Sequence, residues 1–322
     1  LTVTSAAGCV KDTVKSLTTV ITRALANFTV LPENCLNTVT SLSSTSVGSG
    51  NTITDWYWDF GDATTGTGAT PTHTYTATGI KTIRHWIRTN TGCYSDTIVK
   101  QVTIHPLPVA NFSNNAPYCA TRLISFTDAS VANVGSISTW AWNFNDPASG
   151  ASNTSALQNP THVFSAAGIY NVTLTVTNSK NCVSAVFTKT ITINPLPVAN
   201  FTHLQACLPF QPVSFTNTSS VANSSTLTYQ WNFGDPGSGA QNTSSVQNPS
   251  HLYTAAGTYN VKLIDTSSDG GIKDTTISIS DIYAQPRGSF TVNPENCLNT
   301  PTVFTSTSTG SGATITNWYW DY

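Results

Sequence analysis

Trp58-Asp59-Phe60-Gly61-Asp62 decides how the rest of this sequence is read, because it recurs. It returns as Trp142-Asn143-Phe144-Asn145-Asp146 and Trp231-Asn232-Phe233-Gly234-Asp235, and its opening returns once more as Trp320-Asp321-Tyr322. The tryptophans stand 84, 89 and 89 residues apart. Self-similarity at a fixed period comes before any local reading, since a missed repeat mis-assigns the whole fold. The chain reads as a tandem array whose copies each bury one modest core.

The same signals follow each copy of the motif. A Pro-x-His-x-aromatic run comes first, as Pro71-Thr72-His73-Thr74-Tyr75, Pro160-Thr161-His162-Val163-Phe164 and Pro249-Ser250-His251-Leu252-Tyr253. A glycine (Gly79, Gly168, Gly257) precedes a run of alternation, clearest in Tyr170-Asn171-Val172-Thr173-Leu174-Thr175-Val176-Thr177. A period of two turns Tyr170, Val172, Leu174 and Val176 inward and the asparagine and threonines outward. In the second copy the pattern predicts strands near 109–113, 122–127, 138–144, 161–164, 170–177 and 183–193. No stretch of helical period competes, and the class is an all-β sandwich. Trp56, Trp58 and Phe60 share a face, as do Trp140, Trp142 and Phe144, and Trp231 and Phe233 continue the pattern. This aromatic ladder is expected to anchor the core between two sheets. Tyr170 and Tyr259 open the sixth strand, where a tyrosine corner can form; the first copy has Lys81 there. Copy lengths differ in one loop, with Asp62 to His73 spanning 11 residues and Asp146 to His162 and Asp235 to His251 spanning 16.

Taken together, Trp-Asp-Phe-Gly-Asp, Pro-x-His-x-Tyr and Gly-x-Tyr-x-Val-x-Leu resemble the PKD domain, an immunoglobulin-like module, over three whole copies and two partial ones. The resemblance implies tandem sandwiches in an extended rod. Residues 1–25 would be the last part of a preceding domain, 26–107, 108–196 and 197–286 three whole domains, and 287–322 the first part of a following one. The array is similar to the very long PKD-repeat surface and secreted proteins of Bacteroidota, including adhesins associated with gliding. That likeness implies a non-catalytic structural or adhesive protein, extracellular or at the cell surface, forming or decorating a fibre or filament. Its implied partners are copies of itself, surface glycans or other cell-surface proteins. PKD modules also serve as carbohydrate-binding or spacer modules of secreted hydrolases and proteases, which is the alternative.

Composition bears on the same question. Charged residues make up 9% of the chain and the net charge is −2, far from the basic footprint of a nucleic-acid binder. No uninterrupted apolar run reaches the length of a membrane-spanning helix. Pro106-Leu107-Pro108 and Pro195-Leu196-Pro197 fix φ at both prolines and favour extended backbone before them, so the junctions read as stiff spacers. Residues 28–38 return at 290–300, and the offset, 297 − 35 = 262 residues between Cys35 and Cys297, marks a three-domain super-repeat. Residues 1–9 match 174–182, so the sequence opens inside a repeat and its first residues bear nothing on export.

Seven cysteines occupy two recurring places, before the second strand (Cys35, Cys119, Cys207, Cys297) and in the turn before the last strand (Cys9, Cys93, Cys182). Without Cys-x-x-Cys spacing or nearby histidine pairs they read as disulfides in an oxidising compartment. Two pairings stay open: within a domain, Cys35 with Cys93 and Cys119 with Cys182, or across a junction, Cys35 with Cys182. The first joins places about 20 Å apart if they sit at opposite ends of six-residue strands, beyond the roughly 7 Å that bridged Cα atoms allow. The second leaves Cys119 facing Gly271.

No catalytic constellation emerges. Asp59-Phe60-Gly61 is a kinase tripeptide in letters only, lacking a His-Arg-Asp loop or a glycine-rich phosphate loop; it reads as a turn in which Asp bonds local backbone and Gly takes positive φ. Asp62, Asp146 and Asp235 are the recurrent calcium candidates, although Asn143 and Asn232 replace Asp59 and no second acidic cluster accompanies them. The single histidines His73, His162 and His251 read as hydrogen-bonded strand or turn residues. Tyr57 and Tyr319 point away from the core and suit sugar stacking or packing. Thr13, Thr97 and Thr275, each after an aspartate, resemble a short O-glycosylation motif of Bacteroidota surface proteins.

Overall fold

The computed structural model describes residues 1–16, 21–115, 118–293 and 298–321; Cys297 and Tyr322 lie outside them. The chain divides into two compact units, and the division runs through the second copy. One unit comprises Leu1–Asn111, Ala129–Ala141 and Leu174–Phe187, the other Phe112–Asp128, Trp142–Thr173 and Thr188–Tyr322.

In the first unit, copy one is a two-layer sandwich. One sheet has the spatial order Glu33–Cys35, Ile98–His105, Gly79–Thr89, Ile53–Asp59, Thr65–Thr67. Facing it, Phe28–Thr29 pairs with Ser43–Ser44 and Val39–Ser41 with Thr72–Thr74. Every pair in the large sheet is antiparallel except Glu33–Cys35, which runs parallel to the end of Ile98–His105 and sets Cys35 opposite His105. Inward residues of both layers close on Phe28, Trp58, Phe60, Tyr75, Ile83, Val102 and Ile104, each at most 3% exposed. The indole N–H of Trp58 donates to the Gly68 carbonyl at 2.9 Å, which matters because a buried donor without a partner costs about 1–3 kcal/mol. Trp56 is only half-buried, so the core ladder has two rungs per strand instead of three. Gly66 permits the close approach: a Cβ there would lie 2.6 Å from the Phe60 ring.

The second unit repeats the design in copy three. One sheet has the order Ala206–Leu208, Ile272–Ala284, Gly257–Ser267, Leu227–Asn232, Thr243–Ser244, and the other Phe201–His203, Val213–Asn217, Ser250–His251. Trp231 and Phe233 are 2% and 1% exposed in its core, and the Trp231 indole donates to the Val246 carbonyl at 3.0 Å. Within the same unit, copy two carries the sheet Phe112–Asn114, Leu123–Asp128, Thr161–Val163. There the Trp142 ring lies 4.9 Å from Phe112 and 5.7 Å from Phe126, and its N–H donates to Leu157 at 2.9 Å. The surroundings of the three tryptophans are alike.

Copy two departs from the pattern-based strands in three places. Its first strand begins at Phe112 and not at 109, because Val109 makes one isolated bridge to Val131. The last strand begins at Phe187, since the Ser184 amide bonds to the Val176 carbonyl and its hydroxyl to the Val176 amide, ending the ladder early. The longer loops fold into the short 3-10 segments Pro147–Asn153 and Pro236–Asn242, which alternation in neighbouring strands could not signal. Asp146 and Asp235 accept the first turn's amide bonds, from Ser149 and Ser238, both at 3.0 Å.

Candidate functional site

The recurrent aspartates sit where the tryptophan strand ends. Gly61 and Gly234 take φ of 78° and 73°, and Asn145 takes 56° at the equivalent place, turning the chain so that the next residue points back to the sandwich. In copies two and three that residue is buried. Asp146 Oδ2 accepts the Ser165 amide at 2.8 Å and His162 Nε2 at 3.1 Å, and Oδ1 accepts the Ser165 hydroxyl. Asp235 accepts the Thr254 amide at 3.0 Å, the Thr254 hydroxyl at 2.8 Å and His251 Nε2 at 3.2 Å. Each histidine lies flat on the motif phenylalanine, with centroids 4.2 Å apart for Phe144 and 4.5 Å for Phe233, and meets Phe164 or Tyr253 edge-on. Asp62 forms a looser version: it accepts His73 Nε2 at 2.7 Å, but its other donors come from the local Thr64.

Burial works against the charge on these carboxylates. The Ser165 and Thr254 hydroxyls and amides, with the histidines, more than offset it and hold Asp146 and Asp235 below the ordinary range. Burial, with Asp62 and Asp59 nearby, pushes the Tyr75 hydroxyl up to about 12; it donates to the Phe60 carbonyl at 2.9 Å. The arrangement straps the loop to the strand end. As calcium ligands these aspartates are poorly placed, since calcium takes six to eight oxygens and their oxygens already accept protein donors. Among the described residues no three His, Cys, Asp or Glu side chains converge.

A second constellation lies in the first unit. Cys35 is bonded to Cys182 across 147 residues, with Cα atoms 5.5 Å apart. Beside it Lys180 Nζ reaches both Glu33 oxygens, at 2.8 and 3.0 Å, and His105 Nε2 lies 3.4 Å from Glu33. The Lys180 hydrogen bond leads in holding the Glu33 carboxyl below its usual range. Asn178 shapes the turn by accepting the Lys180 and Cys182 amides at 3.0 and 3.1 Å. Of the two pairings that the spacing leaves open, the structure contains the one between copies. Among the described residues neither Cys93 nor Cys119 is disulfide-bonded, so the within-domain pairing is not the one formed.

On the outer sheet face of copy one, Tyr57 and Trp86 are parallel, with centroids 5.5 Å apart. Tyr94 lies 6.2 Å from Tyr57 and carries Arg88 over its ring at 5.7 Å. Copies two and three have Ala141, Thr175 and Val183, and Gln230, Ile264 and Ile272, at these positions. Tyr57 could be read from the alternation of its strand. Trp86 could not, because its meeting with Tyr57 depends on cross-strand register. The Tyr170 and Tyr259 hydroxyls donate to the carbonyls four residues earlier, Ala166 at 2.9 Å and Ala255 at 2.7 Å. Thr13 and Thr97 are exposed, whereas Thr275 is half-buried within Ile272–Ala284. No helix among the described residues is long and apolar enough to cross a membrane.

A model of the PKD domain matches the chain three times in succession, at residues 32–104, 105–193 and 194–280. Among solved structures, the PKD1 domain of Vibrio anguillarum Epp is 34% identical over 28% of this chain and 96% of its own length, with a TM-score of 0.24. The PKD1 domain of the Vibrio cholerae metalloprotease PrtV is 29% identical over 27% of this chain and 96% of its own, with a TM-score of 0.23. The fibronectin(III)-like modules of Clostridium thermocellum CbhA are 12% identical over 52% of this chain and 95% of theirs, with a TM-score of 0.32. The three successive matches take in more than half of the sequence, and the chain belongs to the PKD family, whose domains are non-catalytic extracellular spacer or adhesive modules.

Proposed function

We propose that this protein is a load-carrying array of the kind found on Bacteroidota surfaces, a structural or adhesive fibre component built of domains at 26–107, 108–196 and 197–286. The observation that supports it most is the Cys35–Cys182 bond with the Lys180–Glu33 ion pair beside it, because it ties the start of one copy to a turn of the next. Tension applied along the chain then passes through a covalent bond as well as through the linker backbone. Cofactors have no place in this role, and the partners are further copies or surface components.

Single-molecule pulling tests it. With the bond intact, the 147 residues between Cys35 and Cys182 stay out of the extended length. At about 3.5 Å per residue, reduction should lengthen the fully unfolded chain by about 500 Å. Equal lengths with and without reductant would remove the mechanical reading. Electron microscopy of the secreted material separates the fibre reading from that of a spacer, since regular fibres support assembly and isolated chains of domains oppose it.

A second reading rests on the Tyr57, Trp86 and Tyr94 surface. Parallel aromatic rings beside Arg88 suit the apolar face of a sugar ring, and copies two and three lack them. Trp86→Ala should abolish any retention of the chain on a glycan array; retention unchanged by the substitution would dismiss that surface.

A further inference from the structure

The Cys35–Cys182 bond joins two backbone settings that the chain builds repeatedly. The first is the short strand before strand two, laid parallel to the end of the last strand. Cys35 occupies it opposite His105, Cys207 opposite Tyr283 and Cys119 opposite Asn194. The second is the turn before the last strand, closed by the same two amide bonds each time. Around Cys182 they are Asn178 N to Cys182 O at 3.0 Å and Asn181 N to Asn178 O at 2.9 Å; around Cys93, Thr89 N to Cys93 O at 3.0 Å and Gly92 N to Thr89 O at 2.8 Å. Around Gly271 they are Ser267 N to Gly271 O at 2.8 Å and Gly270 N to Ser267 O at 2.9 Å. A positive-φ residue precedes the cysteine or glycine in each, namely Asn181, Gly92 and Gly270.

The second unit contains both settings and lacks one sulfur. Cys119 is buried, and its thiol donates to the Asp269 carbonyl at 3.1 Å. Asp269 stands two residues before Gly271, as Lys180 stands two before Cys182, and the Lys180 carbonyl is 4.0 Å from the Cys35 sulfur. Cys119 therefore reaches the turn of copy three that is equivalent to the one Cys35 reaches in copy two, and the residue there is a glycine with no sulfur to bond. Burial first, and Asp269 second, push its thiol pKa up, which keeps it in the unreactive form.

We propose that Cys207 and Cys93 are half-sites of this same inter-domain staple. Cys207 bonds the turn cysteine of a PKD domain packed against copy three, Cys93 bonds the pre-strand cysteine of one packed against copy one, and Cys119 remains a thiol. The repeat identifies the partner. Residues 287–322 begin a domain that copies the opening of copy one, the copy whose turn carries Cys93, so one bond type seen from its two sides accounts for both cysteines. In each bond two thiols lose two protons and two electrons to a disulfide oxidant, a small-molecule disulfide or a dithiol–disulfide oxidoreductase, which leaves as two thiols. The inference rests, like the proposed function, on the Cys35–Cys182 bond and on an oxidising, extracellular setting.

The test is a non-reducing peptide map of the secreted protein, collected in iodoacetamide and alkylated while denatured. The expected map has Cys93 and Cys207 in cross-linked peptides and Cys119 alkylated. Alkylated Cys93 and Cys207 beside an intact Cys35–Cys182 bond would overturn this inference alone, whereas alkylation of every cysteine would overturn the extracellular reading as well. Gly271→Cys supplies an independent check. Its Cβ would sit 3.0 Å from Ser267 Oγ and 3.2 Å from Pro197 Cδ, which requires shifts of a few tenths of an ångström. The folded variant should lose the Cys119 thiol to a new cross-link, and a folded variant that keeps two free thiols would contradict the equivalence of the turns.

Discussion

Asp265 offers the sharpest test of the packing argument. It is 0% exposed in the strand Gly257–Ser267, at the position filled in the other copies by Ile87 and Val176, both also 0% exposed. Among the described residues neither carboxylate oxygen has a hydrogen-bond partner of good geometry. Burial pushes its carboxyl above the usual range, and the Ser219 hydroxyl offsets only part of this. Replacing it with valine, close to it in volume, removes an unsatisfied group costing about 1–3 kcal/mol and adds at least about 1.5 kcal/mol from burying an apolar side chain. The third copy should gain about 3 kcal/mol at neutral pH, or a rise of about 12–24 °C in its melting temperature at about 4–8 °C per kcal/mol.

The pH dependence fixes the sign. A carboxyl whose folded pKa is raised favours folding while protonated, so its stabilising contribution is intact below the unfolded value of about 3.9 and fades as pH rises toward the folded one. The valine variant's advantage should therefore be largest near neutrality and smallest near pH 3.5. Calorimetry, with hydrogen exchange of the Gly257–Ser267 peptide to assign the transition, measures both. A variant less stable than the parent at pH 7, or an advantage independent of pH, would show that the carboxylate is satisfied in the fold and would refute the reasoning.

The fully buried aspartate–histidine straps should carry more stability than the half-buried Asp62–His73 one. Asp146→Ala or Asp235→Ala should cost about 3 kcal/mol by orphaning buried donors, and Asp62→Ala less than about 1 kcal/mol, read from chemical denaturation of each variant. Because the Asp146 and Asp235 pKa values are depressed, their contribution is present above about pH 3.9 and lost as pH falls through the folded values; the two buried variants should thus show a flatter acid-unfolding profile than the parent. Calcium should leave the melting temperature unchanged to within about 1 °C at 100 times any physiological affinity, where a bound ion would add about 2.7 kcal/mol; a larger rise would place a cation where the straps are.

Much of the fold is legible in the sequence. The period of the Trp58, Trp142 and Trp231 motifs defines the repeat, and alternation in residues 170–177 specifies a strand with Val172, Leu174 and Val176 inside, because side-chain direction along a strand depends only on local geometry. The tyrosines at 170 and 259 could likewise be placed at a corner, since each bonds a carbonyl four residues away. Pairings between distant segments belong to the tertiary structure. The choice of Cys182 over Cys93 as partner of Cys35, the meeting of Tyr57 with Trp86, and the full burial of Asp265 depend on register, strand order and the packing of one copy's turn against another's edge. A repeated sequence states what each copy is made of; a contact such as that between Cys35 and Cys182, 147 residues apart, is decided only when the chain has closed on itself.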